Sequence, residues 1–244
     1  QEEFSGRLKP GLVARSILIG HADAIESYAL SGPPAAGPAW RFTVSTNPGG
    51  ERVGPNAVHA MRVTEDTAYV LTGTNELLAV DAKGTQRWRL PLPFKATGGL
   101  VADAQGVLVY SMSPARVALF SEADGTLIWT HDPAAKKKGQ QIRLGNLVRM
   151  GDTLLAVEDG QRLVGLDAAK GTPRWEIAGD GTWVLELLGS IDGTLAITRT
   201  HGPLGSGLRV YDVAQGSEIW RDNGNGVQRP GAMARPGGGS ALSR

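Results

Sequence analysis

The chain has no cysteine among its 244 residues. Disulfides, thiolate metal sites and cysteine nucleophiles are therefore excluded. The compartment stays open, because a large β-domain can be secreted without disulfides. Neither sign of charge dominates: 25 basic and 24 acidic residues leave a formal net charge of +1. Such a balance supplies no general drive toward nucleic acid or an anionic membrane. No apolar run approaches the roughly 20 residues that a membrane-spanning helix needs. An initiator Met is missing too, and either a cloning boundary or removal of a signal peptide explains a start at Gln1. Hydrophobic residues at 41% and charged residues at 20% are ordinary for a globular chain, which argues against disorder throughout. What is plentiful is glycine, 34 residues, with 14 prolines beside it. That composition fits many short strands and many turns.

A repeat organises the chain. Residues 162–175 read RLVGLDAAKGTPRW: a short apolar run, a polar turn, and a Trp four residues past a Gly. Variants stand at 77–88 (LLAVDAKGTQRW), 117–129 (VALFSEADGTLIW) and 208–220 (LRVYDVAQGSEIW). The pairs are Gly84 and Trp88, Gly125 and Trp129, Gly171 and Trp175, and Gly216 and Trp220. A weaker copy at 26–40 ends on Trp40, so the tryptophans are spaced by 48, 41, 46 and 45 residues. A unit recurring at that period marks an array or a propeller. Within each unit, apolar segments alternate with turn signals such as Glu65-Asp66, Asp159-Gly160 and Asp192-Gly193. Four strand candidates per unit and no convincing amphipathic helix predict an all-β propeller of four-stranded antiparallel blades, five of them recognisable.

Each repeated residue has a structural task in such a blade. The Gly permits a tight reversal between the last two strands. The residue before the turn (Asp81, Ser121, Asp167, Asp212) accepts backbone N–H bonds. Ala79, Leu119, Gly165 and Val210 lie on the preceding strand as a floor for the indole. The Trp fills the gap between neighbouring sheets.

The pattern Ala-x-Asp-x-x-x-Gly-x-x-x-Trp resembles the tryptophan-docking repeat of pyrroloquinoline-quinone (PQQ)-type β-propellers. Residues 165–175 match it most closely, and the resemblance runs from about residue 11 to about residue 226. The family holds quinoprotein dehydrogenases, which carry PQQ and Ca²⁺, and non-catalytic extracytoplasmic scaffolds similar to the lipoprotein that assists outer-membrane barrel assembly. Typical alcohol-oxidising members use a vicinal Cys-Cys pair, an Asp base and Glu, Asn and Asp metal ligands. No position here matches that set, and the chain is less than half the length such an enzyme normally needs. The resemblance therefore implies a protein-binding scaffold, periplasmic or extracellular, without PQQ, calcium or another cofactor and without catalytic or metal residues. The competing expectation is a degenerate quinoprotein oxidoreductase or another propeller enzyme with a site on the axis. Such propellers commonly have seven or eight blades, so the expectation is either a truncated ring or a five-bladed ring closed by residues 231–235 pairing with the first unit: an arm at 1–10, blades at 11–226, and a partial sixth blade or glycine-rich tail at 227–244.

Other constellations have plainer readings. His21, His59, His131 and His201 fall in different units without ligand spacing. The GPLGSG segment at 202–207 reads as a hairpin, since it does not open a helix. Lys136, Lys137 and Lys138 form the one dense charge run, a loop tip that is either solvated or offered to an acidic partner or anionic lipid. No small-molecule ligand is named by any motif.

Overall fold

The computed structural model describes residues 11–13, 16–21, 23–31, 37–44, 58–133, 141–179, 183–202, 205–222 and 227–228. Among these residues there is no helix, and five antiparallel sheets follow one another along the chain. The first comprises β1 (Gly11–Val13), β2 (Ser16–Gly20), β3 (Ala24–Ala29) and β4 (Trp40–Thr43). The second comprises β5 (Val58–Val63), β6 (Thr67–Thr72), β7 (Glu76–Asp81) and β8 (Gln86–Pro91). The third has β9 (Gly99–Asp103), β10 (Gly106–Met112), β11 (Ala115–Phe120) and β12 (Leu127–His131). The fourth has β13 (Leu144–Met150), β14 (Thr153–Glu158), β15 (Arg162–Asp167) and β16 (Pro173–Ala178). The fifth has β17 (Trp183–Ile191), β18 (Leu195–Gly202), β19 (Gly205–Asp212), β20 (Ser217–Asp222) and β21 (Val227–Gln228).

Strands pair in chain order within every sheet, which is the meander of a β-propeller blade. The turn chemistry enforces it. Asp159 and Gly160 both take left-handed φ, 52° and 65°, and Asp192 and Gly193 repeat this at 50° and 66°. Two successive positive φ values make the primed turn whose twist suits a hairpin. The strands on either side of residues 203–204 pair as a hairpin. Strand pairing continues to Gly202 and Gly205. Val227 and Gln228 pair with Asp222 and Arg221, adding a fifth strand to the last sheet. Residues 1–10 and 229–244 lie outside the described residues.

The chain divides into two compact units, and each has its own core. The first unit holds the first three sheets with the 169–171 turn. There Leu18 and Ile25 pack on Met61, Val70 and Leu78, while Tyr69, Leu71 and Trp88 pack on Leu100, Val107 and Val109. In the second unit Leu155, Val157 and Leu163 meet Leu187, Ala196 and Tyr211. The central strands β6 and β14 are buried along their whole length, as expected for strands covered on both faces.

Candidate functional site

The repeated residues are used in packing. Each motif Trp stands directly opposite its expected floor residue: Trp88 faces Ala79, Trp129 faces Leu119, Trp175 faces Gly165 and Trp220 faces Val210. After every such pair the register slips by one residue, so that Arg87, Ile128, Arg174 and Ile219 are looped out. A bulge of this kind bends the strand and re-aims its side chains. The indoles reach the turn of the following motif. Trp40 Nε1 donates to Ala82 O at 2.9 Å, Trp88 Nε1 to Glu122 O at 3.0 Å, and Trp175 Nε1 to Val213 O at 3.0 Å. A Cβ on the glycine of that turn would collide with the ring: Gly84 with Trp40, Gly125 with Trp88, Gly171 with Trp129 and Gly216 with Trp175, all at 2.4–2.9 Å. The four glycines also take φ between 66° and 83°. Each glycine therefore serves as a turn and as an aromatic seat, and the second role involves a residue more than 35 positions away. Lys136, Lys137 and Lys138 lie outside the described residues.

Two open pockets lie in the first unit, one at each end of the second sheet. One end is a pocket of about 690 Å³ formed by the β5–β6 turn, the β9–β10 turn and Glu122. It presents Glu65, Asp66, Asp103 and Glu122, with no cation in its lining. Asp66 Oδ1 accepts the Thr67 hydroxyl at 2.8 Å, and Asp103 Oδ1 accepts the Gln105 N–H at 2.8 Å. The opposite end is a pocket of about 780 Å³ lined by His59, Thr72, Thr74, Asn75, Lys95 and Thr97. Asn75, at φ 67°, staples this end: its Nδ2 donates to Phe94 O at 2.7 Å and its Oδ1 accepts the Ala96 N–H at 2.9 Å. Glu65-Asp66 and Asp103 read in the sequence only as turn residues. Their convergence with Glu122, more than 50 residues from Glu65, is a product of stacking two sheets.

A third polar group lies on the first sheet. Glu26, buried at 7% exposure, accepts from Tyr28 Oη at 2.6 Å and Arg41 Nη1 at 2.5 Å, with His21 Nε2 2.9 Å from its Oε2. The Tyr28 hydrogen bond, helped by His21 and Arg41, holds the Glu26 carboxyl below its ordinary range despite burial. A depressed folded-state value means that the group stabilises the fold above the ordinary carboxylate pKa and loses that contribution as pH falls through the folded value. We expect melting temperature to fall on acidification below about pH 4, with a shallower fall in Glu26→Gln. Parallel acid limbs in the two proteins would remove Glu26 as a contributor.

Among the described residues, no three His, Cys, Asp or Glu side chains are placed to hold a metal ion. His201 Nδ1 sits 3.0 Å from Ser206 Oγ, and His21 is engaged with Glu26.

A family model described as outer membrane protein assembly factor BamB matches residues 33–230. No curated protein matches the chain. Among solved structures, BamB from Moraxella catarrhalis superposes with a TM-score of 0.63 at 14% identity, covering 89% of this chain and 64% of that one. The computationally designed Ika8 protein gives 0.59 at 11% identity, covering 88% and 60%. Quinohemoprotein alcohol dehydrogenase from Comamonas testosteroni gives 0.51 at 14% identity, covering 66% and 34%. The chain thus spans less than two thirds of the structures it resembles, and at these identities the likeness shows the fold alone.

Proposed function

The chain belongs to the PQQ-like repeat family described as outer membrane protein assembly factor BamB, and on that footing we propose that it works as a non-enzymatic, extracytoplasmic protein-binding scaffold. The observation that carries this reading is the use of the repeat itself. The tryptophans and glycines that recur are tied into sheet packing, and polar side chains on turns line open pockets at the two ends of the second sheet. Fold alone does not assign function. The family description supports a protein partner connected with outer-membrane protein assembly and an extracytoplasmic setting.

The same reading has the protein work without PQQ or calcium. The missing cysteine pair and the dispersed carboxylates support that. The test is titration with PQQ and Ca²⁺ followed by tryptophan fluorescence and dye-linked oxidation of alcohols and glucose. We expect no saturable response and no turnover. Micromolar PQQ binding with substrate oxidation would replace the scaffold by a quinoprotein.

A further inference from the structure

We propose that Met112 is a reversible oxidation site, an exposed thioether that takes an oxygen atom from hydroperoxides while the other described methionines are shielded. The inference is independent of the scaffold reading. The sequence holds four methionines, of which Met233 lies outside the described residues. Met61 is fully buried in the core with Leu18 and Ile25, and Met150 is 5% exposed in the core with Leu155 and Val157. Met112 is 43% exposed. The repeat asks for no apolar side chain at that place. Strands β6, β10 and β14, each second in its sheet, begin at Thr67, Gly106 and Thr153. The residues six places further on are Gly73, Met112 and Asp159, each at the junction of strand and turn. Glycine and aspartate suit a turn, whereas a thioether adds nothing to turn chemistry.

The backbone at Met112 is fixed while its side chain meets solvent. Its N–H donates to Thr97 Oγ1 at 3.0 Å, and it pairs across the hairpin with Ala115. The sulfur is therefore open to an oxidant without any strand separating, which Met61 and Met150 require. The step balances. A sulfur lone pair attacks the terminal peroxide oxygen, the O–O bond breaks and an S–O bond forms. Sulfur is oxidised from thioether to sulfoxide, and the hydroperoxide is reduced to an alcohol, its proton moving to the departing oxygen. Return needs a methionine sulfoxide reductase with a dithiol, whose electrons and protons carry the oxygen off as water. A sulfoxide is polar, so it disrupts a packed core and is tolerated on an exposed turn. At Met112 the product leaves the fold intact, and the site can cycle.

The experiment treats the full chain, carrying Met233→Leu, with tert-butyl hydroperoxide and follows each remaining methionine by peptide mass spectrometry over time. We expect Met112 to gain oxygen first, with Met61 and Met150 at least about tenfold slower, because they react only when their sheets open. In denaturant the three rates converge. Comparable native rates for Met112 and either buried methionine would overturn the site. Methionine sulfoxide reductases A and B, supplied with dithiothreitol, are expected to restore Met112 in the folded protein. Restoration only after unfolding would overturn the reversibility. Two variants test the tolerance. Met112→Leu removes the sulfur and with it the early oxidation, and Met112→Gln puts a polar side chain of similar length in its place. Both are expected to melt with the parent. A melting temperature that falls in Met112→Gln, and falls in the oxidised parent in step with Met112 sulfoxide, would show that the fold depends on the thioether and would overturn the proposal that the site cycles.

Discussion

Trp88→Ala lowers the unfolding free energy by about 3–5 kcal/mol, the range for truncating a large aromatic in a core. Trp88 is 9% exposed and packs between the second and third sheets among Tyr69, Ala79, Leu100 and Val107. Its truncation loses three things together. The cavity has walls of β-sheet on both sides, which relax poorly. The Glu122 carbonyl loses its indole donor. Gly125, at φ 75°, loses the ring whose Cε3 approaches within 2.9 Å of where a Cβ would stand. Trp175→Ala belongs at the lower end of the same range, since Trp175 is only half-buried against Val213 and Gly216. Leu127→Ala is the control: that residue is 49% exposed on β12, and surface changes stay within about 0.5 kcal/mol. Denaturant melts followed by fluorescence and circular dichroism measure all three. A Trp88→Ala curve lying on that of the parent would take Trp88 out of the core.

How much of this was legible in the sequence depends on the range of the contact. The strands and turns were readable because alternation, Gly and Asp-Gly act within a few residues. Cross-strand partners such as Ala79 and Trp88 were readable for the same reason, being joined by one short turn. The bulge after each pair was not. It is a one-residue slip that leaves the hydrophobic pattern almost unchanged, with Arg in two copies and Ile in two others at the looped-out position. The glycine seats were invisible as well, because Trp40 and Gly84 meet only after two sheets have stacked. The acidic pocket follows the same logic. Glu65, Asp103 and Glu122 come from three turns that stacking brings to one end, and each alone reads as ordinary turn chemistry. The Glu26 cluster carried one weak signal, a carboxylate at a central position of an apolar strand with Arg41 directly across from it.

The dual role of the repeated glycines makes a separate prediction. Gly216 and Gly193 both take φ of 66°, in turns of the same unit. A Cβ at Gly193 meets nothing within 4 Å, whereas one at Gly216 falls 2.4 Å from Cγ and Cδ2 of Trp175. Both alanine variants bear the left-handed backbone cost of about 1–2 kcal/mol. Only Gly216→Ala adds overpacking, typically about 1–3 kcal/mol. We therefore expect Gly193→Ala to cost about 1–2 kcal/mol and Gly216→Ala about 2–5 kcal/mol in denaturant melts, the sum of those two effects. Asparagine separates the terms further, since it tolerates the left-handed region yet still carries a Cβ. Gly193→Asn should recover most of the parent stability, and Gly216→Asn should recover little. Trp175 fluorescence adds an independent reading, because displacement of the indole from its Val213 hydrogen bond shifts its emission before global unfolding. Equal costs for the two alanine variants, with Trp175 emission unchanged in both, would mean that Gly216 is a turn residue only and that the indole has no seat there.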